Sequence, residues 1–276
     1  MGDGGIFHRL TEISAGGVSG RGPSALCADG LWAAALDLIG VARNISVITG
    51  FYIASANAPE TDGPSGSVVL ARALMRAGIE TEIWTDARCL EALSACAESV
   101  SFPVDRVRGV SDEIGAAEQP NLLIYIERLG RAADGAYYDM RREDVSEVTP
   151  PLDGYALNGV SRVIGIGDGG NEVGMGNFSE ALRAMMPDYA RCLSSVGADV
   201  CVPADVSNWG AYALAAALSR EGGVWLGQTE AEERTMLEAL ASAGAVDGAR
   251  KEKTLSVDGF DISKQIEVVS SLRSLL

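Results

Sequence analysis

The chain has 276 residues, 47% of them hydrophobic and 22% charged, with a formal net charge of -16 and an isoelectric point near 4.5. That length and apolar content are enough for one large buried core. The acidity excludes nucleic acid and anionic lipid as partners, because both require a basic face that displaces counterions.

In chain order, residues 1–24 are rich in Gly and Ser, end in Arg21-Gly22-Pro23, and read as a loosely ordered leader to an α/β domain of residues 25–276. A helix is expected over residues 25–42, with Leu31, Ala35, Leu36 and Ile39 along one side, followed by a buried strand over 44–51. The loop APETDGPSG brings Glu60 and Asp62, and a helix runs from Ser67 to a stop at Gly78. Pro64 with Ser65 or Ser67 reads as the start and cap of that helix. A strand over 79–85, a helix over 88–100 and a short strand over 102–107 come next. The apolar run NLLIYI, residues 121–126, leads into ERLGRAADGAYYDMR, and the strand over 163–167 leads into a glycine-rich break carrying Asp168, Asn171 and Glu172. A strand over 198–202 precedes PADVSNWG and a helix over 211–219. Thr229, with Glu232 three residues on, opens another helix as a capping box. KTLSVDGFDI reads as a short strand or hairpin before a last helix. No run of about 18 uncharged apolar residues occurs and no secretory signal opens the chain, so the expected location is cytoplasmic.

This alternation implies the α/β class, with a mostly parallel sheet, helices on both faces, and a single large domain with room for a small appended subdomain. Ligands of such sheets bind beyond the carboxyl ends of the strands. That rule gathers Glu60, Asp62, Glu127, Asp134, Asp168, Glu172, Asp205 and Asn208 at one edge.

The chemistry available there is narrow. One histidine, His8, and five scattered cysteines without a C-x-x-C pair remove histidine triads, zinc sites and a disulfide framework. Six glycines fall within residues 165–176, and Gly165, Gly167 and Gly170 match G-x-G-x-x-G after a strand. Asp168 and Glu172 oppose a pyrophosphate there, since two like charges about 4 Å apart repel by roughly 4 kcal/mol at an effective dielectric of 20. The GPSGS turn has no following Lys, so no nucleotide cofactor is expected. Carboxylates and an amide are oxygen donors for hard cations, which makes Glu60, Asp62, Asp168, Asn171 and Glu172 candidate ligands of Mg or Mn, with Ca as a further choice. Arg128 and Arg131 suit a substrate carboxylate, and Asn208, Gly169 and Gly170 complete the candidate substrate-binding set.

Taken in order, ITGF, ETDGPSG, ERLGRAADGAYYDMR, IGIGDGGNEVGMG, VSNWG and KTLSVDG resemble the D-glutamate cyclase family, in its C-terminal, formerly uncharacterised domain, over roughly residues 25–260. The resemblance implies a lyase that converts D-glutamate to 5-oxo-D-proline with loss of water. It implies a small acidic amino acid as substrate, and a homo-oligomer is compatible with it. Catalytic roles then fall to Glu127, Asp134, Asp168 and Glu172, with a divalent metal polarising the substrate carboxylate. Longer, mitochondrial members carry an additional N-terminal domain, and the acid-containing start of this sequence is not expected to direct it to mitochondria. Two alternatives use the same acidic edge: a metal-dependent hydrolase of a small phosphorylated or amide substrate, and a non-catalytic protein that binds a metal or an amino acid.

Overall fold

The computed structural model describes residues 3–111 and 119–276, so residues 1, 2 and 112–118 of the expected leader and domain lie outside the described residues. The helices are α1 (Asp3–Ser14), α2 (Gly30–Val41), α3 (Pro64–Arg76), α4 (Leu90–Ser99), α5 (Gly154–Leu157), α6 (Ser179–Met185), α7 (Ser207–Gly222), α8 (Glu230–Ser242) and α9 (Ile262–Arg273). The strands are β1 (Asn44–Thr49), β2 (Tyr52–Ile53), β3 (Ala58–Pro59), β4 (Glu80–Thr85), β5 (Val107–Gly109), β6 (Leu122–Ile126), β7 (Arg162–Gly167), β8 (Val200–Pro203), β9 (Ser256–Val257) and β10 (Phe260–Asp261). Six of them form one sheet in the order β5-β4-β1-β6-β7-β8, and each adjacent pair is parallel. β2 with β3, and β9 with β10, are antiparallel ribbons outside it.

The strands are apolar throughout because both sheet faces are covered. In β6, Leu122, Ile124 and Ile126 enter the large cluster built with α3, α7, α8 and α9, while Leu123 and Tyr125 face Leu152, Tyr155 and Val173 on the other side. This two-residue alternation fixes the register, since a slip of one residue would exchange the faces. From β1 the chain first adds β4 and β5 on one flank, then β6, β7 and β8 on the other. The order therefore reverses between β1 and β6, where a parallel sheet opens a crevice at its carboxyl edge. Among the described residues, no helix is long and apolar enough to cross a membrane.

Most expected elements lie within a few residues of their reading, and the differences have local causes. The stretch expected to be a loose leader forms α1, because Ile6 and Leu10 stack one turn apart and are buried, and Ser14 Oγ donates to Leu10 O. Trp32 of α2 donates its indole N–H to Thr11 Oγ1 at 3.0 Å, tying the two helices together. A short 3-10 turn, Pro23–Leu26, precedes α2, which starts at Gly30. The short strand after α4 is displaced to β5 by another 3-10 turn, Val104–Arg106. α3 starts at Pro64 without a serine cap: Ser67 Oγ instead donates back to Gly63 O. α7 starts at Ser207, so SNWG is its first turn. The capping box of Thr229 and Glu232 is present in both directions.

Candidate active site

The carboxyl ends of β6, β7 and β8 deliver Glu127, Asp168 and Asp205, and the loop before α3 delivers Glu60 and Asp62. Glu127 leaves β6 with φ of 46°, a left-handed conformation that is rare for a residue with a side chain. Gly63 permits that turn, because a Cβ there would come within 3.0 Å of Glu127 Cβ and 2.5 Å of Thr49 Oγ1. Strain of this kind costs roughly 1–3 kcal/mol and persists where the surroundings impose it. Ser207 Oγ donates to Glu127 Oε2 at 2.6 Å.

The glycine-rich break is closed by its own carboxylate. Glu172 Oε1 accepts from Asp168 N at 3.0 Å and Gly169 N at 2.6 Å, and Glu172 Oε2 accepts from Gly170 N at 2.8 Å. Gly170 bends with φ of 97°, and a Cβ at Gly167 would lie 2.9 Å from Glu172 Cβ, so these glycines let the turn fold onto the carboxylate. The amides that would face a phosphate in a dinucleotide-binding turn are thus taken. Asn171 donates Nδ2 to Tyr138 O at 2.8 Å and lines the cavity beside Glu172.

Arg21 crosses from the segment after α1 to reach this edge. Its Nη2 lies 2.9 Å from Asp168 Oδ2, 2.6 Å from Asp258 Oδ2 and 3.0 Å from Asp205 O. The segment is held by the Asp205 carboxylate, which accepts from Gly17 N, Val18 N, Ser19 N and Ser19 Oγ at 2.8–3.2 Å. Asp247 similarly organises the loop that presents Asp258, accepting from Ala249 N, Arg250 N and Gly259 N.

Between these elements lies a cavity of about 230 Å³ whose lining includes Arg21, Glu60, Glu127, Asp168, Asn171, Glu172 and Asp258. A larger hollow of about 620 Å³ lies elsewhere, against α1, α2 and α7, and holds no carboxylate cluster. Burial is the main reason the acidic groups resist ionisation. It pushes Glu127 well above the usual carboxylate range, helped by Glu172, Asp62 and Glu60. Glu60 is raised by burial and by Asp258 and Asp62. Asp62 is pushed up to about 8, although the amides of Asn208 and Ser207 oppose the shift. Asp168 is raised by burial in spite of Arg21. Two guanidinium groups, Arg21 and Arg141, are set against six lining carboxylates, so the remaining charge calls for bound protons or a further cation.

A divalent cation fits this donor set. Asp62, Asp168 and Asp258 each offer an oxygen within 4.8 Å of the others, as do Glu127, Asp168 and Glu172. All are hard donors, and Asp168 belongs to both groups.

The cavity brings together Glu60, Glu127, Asp168, Asn171 and Glu172 from the sequence reading, and Asp62 stands next to Glu60. Others go elsewhere. Arg128 is fully buried, paired with Asp86, donates to Gly50 O and Pro150 O, and does not line the cavity. Arg131 binds Asp153 through Nε at 2.8 Å and Nη2 at 2.9 Å. Asp134 lies at the exposed surface with Tyr138 OH and Arg191. Asn208 Oδ1 accepts from Gly63 N and Gly66 N, and the Gly169 and Gly170 amides are occupied by Glu172. Sequence reasoning missed Arg21, Asp139, Arg141 and Asp258 as lining groups. Asp139 and Arg141 sit inside ERLGRAADGAYYDMR and Asp258 inside KTLSVDG, so these motifs held a signal. Arg21 had none beyond its flanking glycines.

Compared with known proteins, residues 10–273 match the family described as D-glutamate cyclase-like, C-terminal. The chain belongs to this D-glutamate cyclase-like family. It is 37% identical over 218 residues to the human protein named D-glutamate cyclase, mitochondrial, a match that covers 70% of this chain and 35% of that protein. The chain thus spans about a third of the length of that relative. A solved exopolyphosphatase-related protein from Bacteroides fragilis aligns with 90% of this chain and 57% of its own at a TM-score of 0.46 and 10% identity.

Proposed function

We propose that this D-glutamate cyclase-like chain is a lyase that closes D-glutamate to 5-oxo-D-proline with loss of water, assisted by Mg or Mn at the acidic cavity. The observation that carries this reading is the convergence of Glu60, Glu127, Asp168 and Asp258 on a small cavity that contains the Arg21 guanidinium. The family relationship supplies the reaction, and the cavity supplies groups suited to it.

In this lactam closure the ammonium of the substrate gives up two protons, its nitrogen bonds to the γ-carbon, and one γ-oxygen departs as water carrying both protons. The departing oxygen needs an acid and the nitrogen needs a base. Glu127 suits both halves of that transfer, since burial raises it well above the usual carboxylate range and Ser207 Oγ fixes one of its oxygens. Arg21 and Arg141 are the guanidinium groups at the cavity and can orient the substrate's carboxylates. A metal held by Asp168 with Asp62 and Asp258, or with Glu127 and Glu172, supplies Lewis-acid polarisation of the γ-carboxylate when bound.

The test is to incubate purified protein and D-glutamate with Mg or Mn and to quantify 5-oxoproline by chromatography. Formation of the lactam above the protein-free rate is expected. Its absence with folded protein and every divalent metal tried overturns the reading.

A further inference from the structure

We propose a further activity: the same site cyclises γ-amides of D-glutamate, expelling an amine in place of water, with the amine's substituent seated in a second cavity beside the first. This rests on the D-glutamate reading above and extends it to a second class of substrate.

The second cavity, of about 430 Å³, shares Arg21 and Met140 with the acidic one. Beyond that shared wall its lining changes character, to Gly20, Met185, Met186, Pro187 and Tyr189, with Asp188 as its one carboxylate. Methionines and an aromatic ring form an adaptable, polarisable surface that suits apolar groups of varied shape. Gly22, with φ of 105°, turns the chain beside it, and a Cβ there would meet Met185 Cε at 3.4 Å, an ordinary contact. Tyr189 is steadied by the Arg142 guanidinium, 5.7 Å from its ring centre. The acidic cavity, at about 230 Å³, lies below the roughly 300–1,000 Å³ of sites that enclose drug-sized ligands. A free amino acid therefore has no use for the apolar room next door, whereas an amide of it does.

Electrostatics favour the same substrate. A γ-carboxylate adds a further acidic group to a cavity already lined with Glu60, Glu127, Asp168, Glu172 and Asp258. A γ-amide removes that charge and presents a carbonyl that needs no neutralisation before attack. The step balances without an oxidant or reductant. The substrate amine bonds to the γ-carbon, the bond from that carbon to the amide nitrogen breaks, and a proton lost by the attacking amine ends on the departing one. Glu127, at the end of β6 and bonded to Ser207 Oγ, is one of six carboxylates that line the acidic cavity beside the reacting groups.

The experiment uses D-glutamic acid γ-para-nitroanilide, followed by absorbance of the released amine and by 5-oxoproline formation, beside D-glutamine and D-glutamate, with protein-free rates subtracted. The anilide is expected to be cyclised with kcat/KM roughly tenfold above that of D-glutamine, which has nothing to place in the second cavity. Met185→Trp, which fills that cavity, is expected to lower the anilide-to-glutamine ratio of kcat/KM by roughly tenfold. Met185→Ala gives a second reading of the ratio if the tryptophan variant does not fold. Cyclisation of D-glutamate with no conversion of the anilide overturns the inference and leaves the D-glutamate reading intact. Conversion of the anilide with a ratio insensitive to both substitutions also overturns it. Conversion of the amides without that of D-glutamate supports the inference and removes the free acid as substrate, and failure of all three substrates removes both.

Discussion

Asp62 and Asn208 cap each other's helices. The Asp62 carboxylate accepts from Ser207 N at 2.9 Å and Asn208 N at 2.8 Å at the start of α7, and Asn208 Oδ1 accepts from Gly63 N at 3.0 Å and Gly66 N at 2.7 Å at the start of α3. The two helix starts are thereby locked together below the cavity, each with its positive end at the acidic edge. Asn208→Ala leaves the buried Gly66 amide unpaired and takes the donor from Thr61 O, while Gly63 N keeps Asp62 Oδ1 at 3.0 Å, so a cost of about 1–3 kcal/mol is expected. Urea unfolding followed by circular dichroism reads this directly, and a loss below about 0.5 kcal/mol contradicts the mutual capping.

Turnover separates the carboxylates of the cavity from the one at the surface. Glu127→Gln and Asp168→Asn are expected to slow 5-oxoproline formation by roughly a hundredfold. Asp134→Asn, far from the cavity, is expected to stay within about twofold of the parent. Equal losses in all three variants, with folding retained, contradict the placement of the site.

Arg128 belongs to the architecture. Arg128→Met strips Asp86 of its buried partner and frees two carbonyls, so a loss of about 3–5 kcal/mol is expected. A variant of parental stability whose only defect is a higher KM would return Arg128 to the substrate.

Glu233 gives the fold an unusual response to pH. It is fully buried in α8, accepts from Gln228 Nε2 at 3.1 Å, and is pushed up by burial from 4.5 to about 7. Because the folded state holds this proton more tightly than the unfolded one, its contribution is fully present below about pH 4.5 and is lost as the pH rises through about 7. Across that window the contribution falls by roughly 1 kcal/mol per pH unit. Comparing urea midpoints of the parent and Glu233→Gln at pH 5, 6 and 7 isolates it: the difference between them must change with pH, and a constant offset refutes the assignment.

Divalent metal should stabilise the folded chain. At a concentration about a hundredfold above Kd the gain is about 2.7 kcal/mol. It is expected as a rise in Tm that a chelator reverses and that Asp168→Asn abolishes. A shift retained in Asp168→Asn places the metal outside the acidic cavity.

The sequence displayed the sheet more openly than the site. Strands such as LLIYI are apolar without a break because both faces are covered, and that pattern survives any detail of packing. Glu127 and Asp168 were readable because each directly follows such a strand, which aims it at the carboxyl edge. Arg128 and Arg131 could not be placed from sequence, because chemical type does not say which partner is near: Asp86 and Asp153 pair with them from other loops. Arg21 was hidden in the opposite way. It reaches Asp168 across 147 positions of sequence, from a segment whose glycines looked like slack. The small-residue start of α1 concealed the spacing of Ile6, Leu10 and Ile13, the one mark of a helix there.

The three amides gathered by Glu172 have one more implication. A ligand tied to its receptor by the same backbone acts at an effective concentration in the millimolar range or above. Free phosphate or a nucleotide therefore meets a receptor that is already saturated and does not exchange its occupant. Removing the tenant, as in Glu172→Gly, would empty that anion receptor, and ordinary phosphate would become a competitor for a turn that the native chain reserves for itself.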